Sequence, residues 1–170
     1  MIKAVICDDE LATRNIICHF LEEEQLPIEI VGNAEDGEEA IQLIKETSPR
    51  LIFLDIHMPQ KNGFQVIEEV SREVGPQIIV LTAFASFENA QQALRLGVSD
   101  ILSKPVDFEQ LKAAIFRAIG WKFTSNETVN VMLEYIHNHY KENMELEDLS
   151  KVTYSTESHL ARLFKKHMGI

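Results

Sequence analysis

The sequence has few cysteines, no long apolar run and little positive charge in its first two thirds. Cys7 and Cys18 show no metal-ligand spacing, so they predict small, reduced, buried side chains of a cytosolic protein and exclude a disulfide framework. The longest apolar stretch, Ile78 to Ala85, is far shorter than the roughly 18 residues that span a bilayer. The N-terminus reaches Asp8 without the extended apolar region of a signal peptide. We therefore expect a cytoplasmic protein that does not engage a membrane.

Negative charge is concentrated in the first part of the chain. The net charge of the 170 residues is −11, and residues 1–120 hold 20 Asp and Glu against 10 Lys and Arg. Such an acidic segment is a poor nucleic-acid binder. Residues 121–170 hold 7 acidic against 6 basic residues, and the basic ones cluster late, at Arg162, Lys165 and Lys166. This split indicates two units with different partners.

Short apolar runs alternate with helical patterns over the first 120 residues. Alternation at this spacing predicts βαβ units, and hence a five-stranded, parallel, doubly wound α/β sheet. The predicted strands are 3–7, 28–31, 51–54, 78–81 and 101–102, and the predicted helices are 11–24, about 40–48, about 64–74, about 87–96 and 108–119, the last capped by Asp107.

Polar residues directly follow four of these predicted strands. They are Asp8, Asp9, Asp55, Thr82 and Lys104. Ligands of such sheets bind beyond the carboxyl ends of the strands, so we expect these side chains to meet at one edge.

Three carboxylates at that edge would repel one another, by about 4 kcal/mol for two charges 4 Å apart at an effective dielectric near 20. The cluster must therefore take up protons or bind a cation, and oxygen ligands without histidine or cysteine favour Mg²⁺. A neighbouring lysine and threonine hydroxyl suit phosphoryl oxygens, and a carboxylate can itself be the nucleophile that forms an acyl phosphate.

The order of these motifs resembles the response-regulator receiver domain. The matching residues are Asp8-Asp9, Leu51 to Asp55 (LIFLD), Met58-Pro59, Gly63, Thr82-Ala83 and Lys104-Pro105. The resemblance implies a flavodoxin-like fold and a two-component regulator whose Asp55 accepts a phosphoryl group from a sensor histidine kinase. It further implies that Asp9, Asp55 and the backbone carbonyl of His57 hold Mg²⁺, and that Asp8 assists through water. The side chain of His57 is then expected at the rim of the site.

The same resemblance assigns roles to residues after the fourth and fifth strands. Thr82 and Lys104 would bind the phosphoryl oxygens, and Thr82 would also act in the switch. Receivers usually carry Tyr or Phe three residues before the lysine, where this chain has Ile101. We therefore expect an intact phosphorylation site, with a coupling step that depends on an aliphatic side chain.

Residues 127–170 resemble the start of an AraC/XylS-type DNA-binding domain. The matching segments are 135–140 (YIHNHY), 146–150 (LEDLS), 159–166 (HLARLFKK) and Gly169. The resemblance implies a helix-turn-helix whose second helix enters the major groove of DNA. By it, Leu149, Leu160, Leu163 and Phe164 are core, Glu157, Ser158, Ala161 and Arg162 face bases, and Lys165 and Lys166 lie near phosphates.

These resemblances predict a domain organisation of 1–120 receiver, 121–126 linker and 127–170 helix-turn-helix. The AraC-type domain carries two such motifs on about 100 residues, and we interpret the end at Ile170 as a truncation after the first. A homodimer on phosphorylation is a further expectation, and the whole is expected to be a regulator rather than an enzyme.

Three alternatives remain open from the sequence. An aspartyl phosphatase would also use a strand-end Asp and magnesium, but it usually places a general-acid Asp where this chain has His57. A receiver that only binds partners, without phosphorylation, is kept open by Ile101. Residues 127–170 could also form a helical interaction domain, and the pair His137 and His139 lacks further ligands for a zinc site.

Overall fold

The chain forms two compact units, Met1–Ile119 and Gly120–Ile170. The computed structural model describes residues 1–70, 75–84, 86–120, 126–139 and 143–168. Except for Asn126, the linker predicted at 121–126 lies outside the described residues, as do Gly169 and Tyr140 of the motifs quoted above. Within the described residues, no helix is both long and apolar enough to cross a membrane.

The first unit contains a five-stranded parallel sheet with the strand order β2-β1-β3-β4-β5. This arrangement confirms the predicted flavodoxin-like α/β fold. The strands are β1 (Ile2–Cys7), β2 (Ile28–Ala34), β3 (Leu51–Asp55), β4 (Gln77–Thr82) and β5 (Asp100–Ser103).

Five helices connect and follow these strands. They are α1 (Leu11–Glu23), α2 (Gly37–Thr47), α3 (Gly63–Val70), α4 (Phe87–Arg95) and α5 (Phe108–Ile119). Side-chain caps fix several starts: Asp36 accepts from the amides of Glu38 and Glu39, and Ser86 accepts from the amide of Asn89. Asp107 accepts from the amide of Gln110 at 2.9 Å, which confirms the predicted cap of the last helix.

The central strands are buried because they are apolar along almost their whole length. Every residue of β3 is buried, and so are all residues of β4 after Gln77. The edge strand β2 is three residues longer than predicted, since it continues through Gly32 and Asn33 to Ala34. An edge strand pairs on one side only, so its polar second half is stable in the sheet although it lacks the apolar signature of a strand.

In the described residues of the second unit there are three helices, α6 (Glu127–His139), α7 (Leu146–Thr153) and α8 (Glu157–Met168). Its small core is formed by Met132, Leu149 and Leu160, against which Tyr135, Ile136 and Phe164 are partly buried. Tyr154 joins α7 to α8 with a left-handed φ of 52° and an exposed fraction of 97%.

Candidate functional site

The strand ends place the acidic and basic side chains of the site. Asp8 follows β1 directly, Asp55 is the last residue of β3, and Lys104 follows β5. The register aligns Cys7 with Leu54, Asp55 with Leu81, and Thr82 with Ser103, so these ends lie side by side. The structure therefore brings residues from four separate segments of the chain to one edge of the sheet.

Three carboxylates form a compact cluster at this edge. One carboxylate oxygen from each of Asp8, Asp9 and Asp55 lies within 4.8 Å of the other two. Asp8 and Asp55 are 0% and 4% exposed, whereas Asp9 is exposed. Buried carboxylates at such separations need a compensating positive charge.

Lys104 supplies positive charge to this cluster. Its Nζ donates to Asp55 Oδ2 at 2.6 Å, to Asp8 Oδ1 at 3.1 Å and to Glu10 Oε2 at 3.0 Å. Burial alone would lower the pKa of this ammonium, but the hydrogen bonds that it donates to Asp55, Asp8 and Glu10 outweigh burial and raise the pKa above its ordinary value. Lys104 is therefore firmly cationic in the described arrangement.

The carboxyl group of Asp8 is fully buried. Burial raises its pKa above the ordinary value, and the hydrogen bonds from Lys104 and the Glu10 amide only partly oppose this. Asp8 Oδ1 accepts from the Glu10 amide at 2.9 Å. Oδ2 lies 2.9 Å from Lys104 Nζ, yet it has no hydrogen bond of acceptable geometry within the described residues.

This arrangement fits a hard divalent cation. The donor set contains only carboxylate oxygens, as Mg²⁺ prefers, and Asp8 Oδ2 is a buried oxygen that lacks a hydrogen-bond partner among the described residues. The residues that could hold such an ion are Asp8, Asp9 and Asp55.

The chain around Asp55 is held by close backbone packing. The amide of His57 donates to Asp55 Oδ1 at 2.9 Å, and the amide of Gly63 donates to the carbonyl of Ile56 at 2.9 Å. A Cβ atom on Gly63 would lie 2.4 Å from the carbonyl oxygen of Asp55, so only glycine fits there. The exposed ring of His57 makes an edge contact with the ring of Phe84, with centroids 5.6 Å apart.

Thr82 and Ile101 lie on the two strands next to the cluster. Thr82 is fully buried, and its hydroxyl exchanges hydrogen bonds with the backbone of Phe84 at 3.1 and 3.2 Å. Its carbonyl accepts from the amide of Lys104 at 2.8 Å, which joins the ends of β4 and β5. Ile101 pairs with Val80 and is half-buried against the apolar core between the sheet and its helices.

Two residues that contact the site were not assigned to it from the sequence. Glu10 binds Lys104, and Arg14 donates to the carbonyl of Asp8 at 2.6 Å. Glu10 continues the acidic run of Asp8 and Asp9, and that run was the available signal. Arg14 lies in α1, and nothing in the sequence signals its role. Its contact with Asp8 depends on how the loop before α1 folds back over the helix.

The residues predicted to contact DNA lie in α8 of the second unit. Ser158, Arg162, Lys165 and Lys166 are all exposed, and the guanidinium of Arg162 lies 3.3 Å from His159 Nδ1. On the opposite side of the helix, Leu160 is buried and Leu163 and Phe164 are half-buried. The helix therefore has an apolar side that packs and a polar side that carries its basic residues.

Comparison with known proteins identifies the first unit. Residues 4–116 match the family model of the response regulator receiver domain. Over its full length the chain is 31% identical to an uncharacterized response regulatory protein of Staphylococcus epidermidis, covering 76% of that protein. It is 28% identical to the transcriptional regulatory protein HptR of Staphylococcus aureus, covering all of this chain and 77% of the relative.

A solved structure gives the same result. The receiver domain of AraT, a response regulator from Geobacillus stearothermophilus, superposes with a TM-score of 0.61 and 27% identity, covering 83% of this chain and 98% of that one. The chain therefore belongs to the response regulator receiver domain family.

Proposed function

We propose that this chain is a two-component response regulator in which Asp55 accepts a phosphoryl group from a sensor histidine kinase and thereby controls a DNA-binding unit. The observation that carries the proposal is the position of Asp55. Its carboxylate ends a buried strand within a carboxylate cluster and lies 2.6 Å from the ammonium of Lys104. The proposed nucleophile, Asp55, therefore lies beside both a positive charge and carboxylates that could ligate a cation.

In the proposed transfer, a carboxylate oxygen of Asp55 attacks phosphorus as the bond from phosphorus to the histidine nitrogen breaks. The leaving imidazole takes a proton, and an acyl phosphate remains on Asp55. Mg²⁺ would be held by Asp9, Asp55 and the carbonyl of His57, with Asp8 acting through water. A bound Mg²⁺ would neutralise negative charge on the phosphoryl group. Lys104 would bind a phosphoryl oxygen with the same ammonium that donates a hydrogen bond to Asp55 in the structure.

Thr82 and Ile101 are the proposed switch residues. A phosphoryl group adds about 1.5 to 2 negative charges and three acceptor oxygens at the ends of β3 and β4. The hydroxyl of Thr82 would exchange its bonds to the Phe84 backbone for a phosphoryl oxygen, which would move the loop that follows β4. The half-buried side chain of Ile101 would repack as that loop moves.

The proposed output is an AraC-type helix-turn-helix formed by α7 and α8. Its support is the exposed basic side of α8, where Ser158 and Arg162 would contact bases and Lys165 and Lys166 would contact phosphates. A relative over the full length of this chain is a transcriptional regulatory protein, which is consistent with a DNA-binding role. Homodimerisation on phosphorylation is part of the proposal.

The phosphorylation step is tested with acetyl phosphate and Mg²⁺, followed by intact-protein mass spectrometry. We expect a mass increase of about 80 Da, the mass of one phosphoryl group. Asp55→Asn should abolish it, because an amide is not a nucleophile for this transfer. Asp36→Asn is the matched control, since Asn also caps helices and Asp36 lies at the start of α2. Full labelling of Asp55→Asn would refute the assignment.

A further inference from the structure

A buried arginine lies next to the site, and the proposed phosphoryl transfer leaves its role open. Arg14 is 8% exposed, although charged side chains are rarely buried unless they are paired. Its Nη1 donates to the carbonyl oxygen of Asp8 at 2.6 Å, and its Nη2 donates to Glu35 Oε1 at 2.6 Å. The guanidinium thus joins the loop after β1 to the loop after β2.

The contact with the carbonyl of Asp8 restrains the peptide unit that joins Asp8 to Asp9. That carbonyl belongs to the peptide unit between Asp8 and Asp9, and a planar peptide unit turns as one body. The amide of Asp8 is fixed as well, because it donates to the carbonyl of Ala34 at 3.0 Å. With both ends of Asp8 held, the Cα atoms that carry the two carboxylates have defined positions.

The two partners of Arg14 differ in their surroundings. The side chain of Glu35 is 67% exposed, so water screens its ion pair with Arg14. The bond to the Asp8 carbonyl is buried and charge-assisted, which makes it the stronger and more directional of the two. The backbone contact is therefore the stronger of the two contacts that compensate for burying the guanidinium.

We propose that Arg14 is a positioning residue for the cation site: by holding the carbonyl of Asp8 it orients the carboxylates of Asp8 and Asp9 toward a divalent cation. This inference rests on the proposed function, because it assigns a determinant of Mg²⁺ affinity to the same carboxylate cluster. Arg14 itself does not contact the phosphoryl group and takes no part in the transfer.

The test compares Mg²⁺ affinity with phosphorylation at saturating Mg²⁺. For Arg14→Gln we expect the dissociation constant for Mg²⁺, measured by isothermal titration calorimetry, to rise about tenfold, as is typical when a group that orients metal ligands is removed. The rate of Asp55 labelling at saturating Mg²⁺ should stay within about twofold, because the nucleophile and Lys104 are unchanged. Arg14→Lys should recover part of the affinity, since one ammonium reaches one acceptor but not two.

Two further variants separate positioning from general stability. Glu35→Gln keeps the bond from Arg14 to Asp8, so its Mg²⁺ affinity should remain within about twofold of wild type. Arg117→Gln removes an arginine paired with Asp100, away from the cation site, and should leave Mg²⁺ affinity unchanged. The rise in Tm on adding Mg²⁺ should shrink for Arg14→Gln and persist for both controls.

The outcomes are distinguishable. Wild-type protein that binds no Mg²⁺ and is not labelled at Asp55 would overturn the proposed function and this inference with it. Wild-type protein that binds Mg²⁺ and is labelled, beside an Arg14→Gln variant of unchanged Mg²⁺ affinity, would overturn the positioning role alone. If Arg14→Gln lowers the Tm by the same amount with and without Mg²⁺, relative to wild type, Arg14 stabilises the fold but does not position the cation ligands.

Discussion

At the scale of single residues, the site balances carboxylate repulsion against one ammonium. Asp8 and Asp55 are buried and share Lys104, and Glu10 contacts the same ammonium from the solvent side. The raised pKa of Asp8 shows that its burial is only partly compensated. The cluster is therefore a place where cation binding and folding stability are linked.

Asp8→Asn should stabilise the protein at neutral pH in the absence of divalent cations. The native carboxyl keeps its proton to a higher pH than the unfolded one, so wild-type stability falls as pH rises from 3.8 through the raised native pKa. The amide removes this fall because it has no charge for burial to penalise, so we expect a higher free energy of unfolding than wild type at neutral pH. Urea unfolding across pH measures it.

The gain should vanish below pH 3.8, where the wild-type carboxyl is protonated in both states. Glu10→Gln should change the free energy of unfolding in the opposite direction. The hydrogen bond from Lys104 lowers the pKa of Glu10, so removing this carboxylate should destabilise the protein at neutral pH. An Asp8→Asn gain of equal size at acid and neutral pH would rule out the electrostatic explanation.

The sequence could place the strand-end residues because a buried strand fixes where its last residue lies. Asp8, Asp55 and Lys104 each follow an apolar run, and parallel strands bring their carboxyl ends to one edge. The role of Thr82 is less visible in the structure, where its hydroxyl bonds to the backbone of Phe84. Such local bonds depend on loop conformation, which no periodicity in the sequence encodes.

At the scale of elements, the site depends on how closely α3 approaches the end of β3. The helix begins at Gly63, whose amide bonds to the carbonyl of Ile56 one residue beyond Asp55. A side chain at position 63 would collide with backbone that cannot move without displacing Asp55. The geometry around Asp55 is therefore set partly by a residue without a side chain.

Gly63→Ala should destabilise the receiver unit and reduce Asp55 labelling together. A Cβ 2.4 Å from the Asp55 carbonyl oxygen is too close, and overpacking of this kind costs about 1–3 kcal/mol. Chemical denaturation and acetyl phosphate labelling of the same samples test this expectation.

Gly97→Ala is the control for Gly63→Ala. Its Cβ would meet nothing within 4 Å, and only its φ of 76° is unfavourable. This variant should lose stability through backbone strain alone and keep its labelling at Asp55. Equal loss of labelling in the two variants would contradict the close-approach explanation.

Element type could be predicted from the sequence more readily than element ends. Helix α5 was placed at its observed bounds because Asp107 marks its start, and β1 and β4 differ from prediction by one or two residues. The end of β2 was missed because an edge strand needs no apolar signature. The prediction for the third helix extended to residue 74, and residues 71–74 lie outside the described part of the chain.

At the scale of the whole molecule, the two parts of the chain differ in charge. The first 120 residues hold most of the negative charge, and the exposed side of α8 carries Arg162, Lys165 and Lys166. If this chain binds DNA as proposed, then at a net charge of −11 the binding must come from a few local contacts against a repulsive background.

Binding of duplex DNA by this chain should be weak and only moderately salt-dependent. The two lysines assigned to phosphates, Lys165 and Lys166, would give a slope of log K against log salt of about −1.8. Fluorescence anisotropy over a salt series measures this slope, and Lys165→Ala should reduce its magnitude by about 1. Lys61→Ala, which removes a lysine paired with Glu69 in the receiver unit, is the control and should not change it. Tight binding that resists salt would contradict this account of α8.

The contacts of Lys104 have a thermodynamic consequence for any metal that enters the cluster. Its ammonium bonds to oxygens of Asp8 and Asp55, two of the three carboxylates that could ligate a dication. Uptake of a dication would therefore compete with the ammonium for these oxygens, and the apparent affinity would reflect the difference between two sets of contacts. The ammonium of Lys104 is also the group that the proposed transfer uses, so a dication that took over the charge of Asp8 and Asp55 would leave this lysine available to a phosphoryl oxygen.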